Sequence, residues 1–79
     1  MGNQKLIEVH WFDCTFHDEV YDAEEAMAHD LIEMRDIGYF VGEDKTKIAL
    51  AGEWVEDQGS YRHMTWIPKV NIISRRYLK

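Results

Sequence analysis

The amino-acid sequence predicts a mainly β domain: five short strands and one helix, curled into a small barrel. Three observations point to it. Segments 5–13 and 61–67 alternate apolar and polar residues with the period of a half-buried strand. Segment 22–34 carries an apolar stripe at helical spacing behind a capping signal. Polar or proline-bearing breaks at 43–46, 57–60 and 68 divide the remainder into further short runs.

In "KLIEVHWFD" (5–13), Ile7, Val9 and Trp11 fall on one face, and Glu8 and His10 fall on the other with Leu6 and Phe12. "CTFHDEVY" (14–21) has no clean period and reads as a connection. In "DAEEAMAHDLIEM" (22–34), Asp22 caps the first turn while Glu25 reaches back. Ala23, Met27, Leu31 and Met34 form the stripe, and Glu24 and Glu25 sit where the helix dipole favours anions.

Residues 35–57 read as two strands joined by the turn Glu43-Asp44-Lys45-Thr46. "IGYFV" is too continuously apolar for a half-exposed strand, which predicts burial on both sides or packing under the helix. Gly38 within it predicts a bulge or the close approach of another backbone. In "YRHMTWI" (61–67), Arg62, Met64 and Trp66 share one face, and Tyr61, His63, Thr65 and Ile67 share the other. Pro68 has no N–H for a ladder and ends the pairing. "PKV" fits a single 3₁₀ turn, and "NIISRRYL" fits a last strand. Val70, Ile72, Ile73, Tyr77 and Leu78 interleave with the charges there, which favours a strand with its arginines in solvent over a free basic tail.

Strand, helix, three meandering strands, one tight turn and a last strand is the order of an SH3-like or Sm-like barrel with a helix in its first connection. An α+β sheet with one helix packed on its face is the alternative. A barrel protects its strand edges by closure or by pairing between subunits.

The 79 residues make one domain, 1–79, with 1–4 expected to be disordered. A chain this short buries only about 60% of its unfolded surface. Cys14 is the sole cysteine, so no intrachain disulfide makes up the deficit. A well-packed core, a metal or self-association remains, and a homo-oligomer is expected. The 46% apolar content is that of a globular chain, not a disordered one. No apolar run reaches the roughly 18 residues of a membrane span, and "MGNQKLIE" lacks the features of a signal peptide. The expectation is a soluble, cytoplasmic protein without a membrane partner. The net charge of −6 repels a phosphate backbone, although Lys69, Arg75, Arg76 and Lys79 cluster near the end.

The stretches "EVHWFD", "DAEEA", "IGYFVGEDKTKIALAGEW" and "IPKVNI" together resemble a loose group of short, uncharacterised phage and prophage proteins. The resemblance runs from about Lys5 to Leu78 and rests mainly on folding signals. It implies a phage-type origin, a bacterial-host cytoplasm and a compact barrel. The group has no assigned catalytic residues, so none is carried over. Phage proteins of this size commonly act by binding: they block a host enzyme, soak up a defence signal or tune transcription.

The densest polar cluster is His10, Asp13, Cys14, His17, Asp18 and Glu19. Cys14 and His17 have a zinc-like spacing, but a second ligand pair is missing, with only His29 and His63 as distant candidates. Cys14 as a nucleophile would need an electropositive setting, and its neighbours are carboxylates. The pairs Glu24/Glu25 and Glu56/Asp57 fall in a helix first turn and a hairpin turn, both solvated, where their acidities would not separate. No glycine-rich phosphate loop or nucleophile elbow is present. The expectation is therefore a non-enzyme without catalytic residues, metal or cofactor.

Aromatic rings stack on bases, and guanidinium forks bind phosphates at two points. Trp54, Tyr61, Arg62, His63, Trp66, Arg75, Arg76 and Tyr77 supply both kinds of group and are the candidate ligand-binding residues. The competing reading buries Trp54 and Trp66 in the core. The leading functional expectation is a homo-oligomeric module that sequesters an anionic, nucleotide-like signal. A module that inhibits or recruits a host protein is the alternative, and an Sm-like nucleic-acid binder the second alternative, disfavoured by the acidic balance.

Overall fold

A computed structural model describes residues 4–78. The chain runs β1 (Leu6–Asp13), α1 (Ala23–Met27), β2 (Ile32–Glu43), β3 (Lys47–Val55), β4 (Ser60–Pro68), a 3₁₀ turn (Lys69–Asn71) and β5 (Ile72–Leu78). The five strands form one antiparallel sheet in the order β4-β3-β2-β1-β5. The helix falls between strands 1 and 2, and the 3₁₀ turn follows Pro68, as the sequence predicts.

The alternation in β1 explains the inner face. Ile7 and Val9 are fully buried, and Trp11 nearly so. They pack with Ile48 and Leu50 of β3 and Ile67 of β4, flanked by Met34, Phe40 and Ile72. Strands β1 and β4 lie three places apart in the order yet share this core, so the sheet is curled upon itself. Two irregularities assist the curl. The β2–β3 register shifts between Phe40 and Gly42, and the β1–β5 register between His10 and Trp11. An unpaired residue at each shift bends its strand and increases the local twist.

Gly38 is where the curl needs a missing side chain. A Cβ there would stand 2.7 Å from the Ala51 carbonyl oxygen. The expected close backbone approach is thus found at Gly38, while the bulge lies a few residues later. Gly38→Ala must push β3 away from β2, a backbone movement that costs about 1–3 kcal/mol. A urea titration should show the loss as a lower midpoint.

Two sequence-based expectations are corrected. The helix spans only Ala23–Met27, not 22–34, although Asp22 and Glu25 do form the predicted capping box. Residues 32–34 instead open β2, where Met34 faces Trp11 across the ladder. The stripe of Leu31 and Met34 suits either structure, and pairing with an already apolar β1 outweighs local helix preference. The helix also covers no part of the sheet: none of its residues is buried. "IGYFV" therefore does not lie under it, and Ile37 and Val41 are exposed. The alternative of a helix packed on a sheet face falls with the same observation. Residues 1–3, expected to be disordered, lie outside the described residues. Gln4 is placed, and its side-chain oxygen accepts from the Tyr61 hydroxyl at 2.5 Å.

Candidate functional site

The outer face of β1 presents Leu6, Glu8, His10 and Phe12, because Ile7, Val9 and Trp11 turn inward. The ladders set Glu8 opposite Arg76, His10 opposite both Arg35 and Ser74, and Phe12 opposite Glu33. A groove of about 440 Å³ results, lined by Glu8, His10, Arg35, Ser74, Arg75 and Arg76. The Arg76 Nε donates to Glu8 Oε1 at 2.8 Å, and Arg35 Nη1 stands 4.0 Å from the same oxygen. The His10 ring bonds Glu33 through Nε2. Glu8 is largely shielded from solvent, whereas the Arg35 and Arg76 side chains are 59% and 71% exposed. Two guanidinium groups therefore flank one carboxylate, and each keeps unused N–H donors facing water.

Arg75 borders the groove too, but its side chain reaches across to the end of β2. Its Nη1 donates to Glu43 Oε1 at 2.9 Å, and Lys69 Nζ reaches the same atom at 2.7 Å. Arg75 first, then Lys69, holds the Glu43 carboxyl below its ordinary range, and Glu43 in turn raises Arg75. Asp44 is held well below its ordinary range by Lys47 Nζ at 2.5 Å, then by the backbone N–H and hydroxyl of Thr46. Both carboxyls are more acidic folded than unfolded, so their stabilisation is present above the unfolded value and lost as pH falls through the folded one. Glu43 accordingly begins to lose its share below its ordinary value of 4.5, and Asp44 loses its share only under stronger acid. Urea midpoints at neutral pH and at a pH below that value should therefore differ less in Glu43→Gln than in the parent protein.

The eight sequence-predicted residues divide between the two ends of the strand order. Arg75, Arg76 and Tyr77 lie on β5. Arg76 lines the groove directly, while Tyr77 sits edge-on to Phe40 at 6.0 Å, with Lys5 Nζ 5.5 Å from its ring centre. Trp54, Tyr61, Arg62, His63 and Trp66 lie on β3 and β4. Trp54 and Tyr61, each half-buried, pack edge-on at 5.1 Å. Arg62 is occupied by Glu53 at 2.5 Å. Trp66 stands 58% exposed on the outer face, opposite Ala49, so it is not a core residue. His63 has φ 62°, a left-handed conformation within an edge strand, beside Gly52, where a Cβ would stand 3.2 Å from that of His63. Trp54, Tyr61 and Trp66 lie away from Arg75 and Arg76 in the strand order.

Glu8, His10, Arg35 and Ser74 were not singled out by the sequence as ligand-binding groups. The alternation of β1 does place Glu8 and His10 on one face, but nothing local shows that Arg35 and Arg76 flank them. Cys14 is exposed. Among the described residues no group of three or more His, Cys, Asp or Glu is placed to hold a metal ion, and no helix is long and apolar enough to cross a membrane. Comparison with known proteins finds no matching family, no matching characterised protein and no matching solved structure.

Proposed function

We propose that the chain is a small non-catalytic binding module that holds an anionic, phosphate-bearing ligand in the groove between Arg35 and Arg76. The observation that carries this reading is the pair of exposed guanidinium groups that share one carboxylate, Glu8. Guanidinium forks bind phosphate oxygens at two points, and Ser74 adds a hydroxyl beside them. The curled five-stranded sheet fits an SH3-like or Sm-like framework, and the resemblance to phage proteins fits sequestration of a nucleotide signal of host defence. Three of the aromatic residues expected to stack on a base, Trp54, Tyr61 and Trp66, lie at the other end of the strand order, and Tyr77 packs against Phe40, so the ligand is read by its charge more than by its base.

Thermal shift and calorimetry with inorganic pyrophosphate, adenosine and a panel of linear and cyclic nucleotides test the reading. Binding of pyrophosphate and nucleotides, but not adenosine, is expected, and it should weaken steeply with salt. Silence from every phosphate-bearing compound would overturn the assignment.

A further inference from the structure

The connection between β1 and β2, residues 14–31, has no role in the groove and leaves most of its own apolar surface uncovered. It projects from the end of the β1–β2 hairpin of a molecule whose extents are 55 × 23 × 22 Å. His17, Tyr21 and His29 pack against one another, with the two imidazoles 4.5 Å apart. Phe16, Val20 and Met27 face water at 88%, 98% and 84% exposure. A helix of five residues with nothing buried is far below the length that persists unaided. Several exposed large apolar side chains on one short segment mark it as a contact surface.

The charge of this tip is lopsided. Asp18, Glu19, Asp22, Glu24, Glu25 and Asp30 lie within it, and no lysine or arginine does. Those carboxylates account for the entire formal net charge of −6, because the rest of the chain carries nine acidic and nine basic residues. The surface that fits the tip must be apolar and basic.

The same chain offers one. Lys69 and Arg75 share the single carboxylate of Glu43, so the start of β5 retains a surplus positive charge. Val70 is 94% exposed there, and Ile73, left unpaired by the register shift, is half exposed. The outer edge of β5 is free, because β5 ends the strand order. A shallow depression lined by Lys69, Ile72, Ile73, Ser74 and Arg75 lies along it. This patch is also at the correct end of the molecule: Asn71 Nδ2 donates to the Phe12 carbonyl at 2.9 Å, next to the root of the tip. The tip leaves its own chain's Val70 bare.

We propose that two copies associate about a two-fold axis, with the acidic, apolar tip of each seated on the basic, apolar start of β5 in the other. With tip and patch at one end of the chain, a single rotation forms both contacts, so the interface is self-complementary and closed. Phe16, Val20 and Met27 cover Val70 and Ile73, while the tip carboxylates face Lys69 and Arg75. The pairing also covers an edge strand that would otherwise stay open.

Sedimentation equilibrium of the full chain at about 0.05 M and about 0.5 M salt tests this, because charge screening lengths differ roughly threefold between the two. A dimer is expected, at least about tenfold weaker in high salt. Phe16→Asp, in the tip, and Val70→Asp, in the patch, should each abolish it; both residues are solvent-exposed, so folding is unaffected, as circular dichroism will verify. An equimolar mixture of the two variants should recover a heterodimer through the one intact tip and patch. A parent chain that stays monomeric up to about 100 µM would overturn the proposal. So would a ring of three or more copies, a dimer indifferent to salt or to either variant, or variants that fail to rescue each other. The ligand groove is unaltered in both variants, so pyrophosphate binding measured alongside tests the groove separately.

Discussion

Ile48→Ala is expected to remove about 2–5 kcal/mol of stability. That is a large share of the roughly 4–12 kcal/mol available to a chain of this length. Ile48 is fully buried, pairs with the equally buried Ile67 across the β3–β4 ladder, and meets β1 from the other side of the curl. The described core is small, centred on Ile7, Val9, Trp11, Ile48, Leu50 and Ile67. A cavity there has few neighbours able to collapse into it. Trp11 cannot tilt freely into the space, because its indole N–H donates to Asp36 Oδ2 at 2.6 Å. The variant should unfold at markedly lower urea, with an unchanged slope if the native state stays as compact. Ile37→Ala serves as the control: Ile37 lies on the same sheet but is 59% exposed, and its replacement should change the midpoint little. Equal losses in the two would mean that the curled core is not what holds the sheet together.

The contrast between Ile48 and Ile37 also shows where sequence and structure part. Period-2 alternation reports which face of a strand is apolar, and in β1 it separated Ile7, Val9 and Trp11 from Glu8 and His10 correctly. The same rule separated Arg62, Met64 and Trp66 from Ile67 in β4. Asp22 and Glu25 announced the helix start because capping is local chemistry. The helix end was not legible: Leu31 and Met34 satisfy the helical spacing, and only the pairing of Ile32–Tyr39 with β1 shows that the segment is extended. The groove was illegible for the same reason. Arg35 and Arg76 are far apart in the chain and meet only because β1 lies between β2 and β5 in the sheet. Tip and patch differ again: their residues are visible in the sequence, but the exposure of Phe16, Val20 and Val70 depends on what fails to pack against them.

Arg76→Glu is expected to have the largest functional effect. It removes one of the two guanidinium groups flanking Glu8 and sets a second carboxylate opposite Glu8, with Arg35 remaining on the β2 side of Glu8. Losing one partner of a charge-assisted contact costs about 2–5 kcal/mol, and affinity for pyrophosphate should fall on the order of a hundredfold or more. Loss alone would not separate a specific groove from a diffuse field, so Glu8→Gln supplies the opposite sign. Glu8 accepts from Arg76 Nε and stands 4.0 Å from Arg35 Nη1 while carrying a charge that repels the ligand. Its neutral isostere keeps the shape, removes that charge and should raise affinity up to about tenfold. Arg62→Glu completes the comparison: it changes the net charge as Arg76→Glu does, but at β4, where Glu53 already occupies the arginine. If Arg62→Glu weakened pyrophosphate binding as much as Arg76→Glu, the ligand would be answering to net charge and not to this groove. A loss confined to Arg76, with a gain at Glu8, requires a ligand seated between the two arginines.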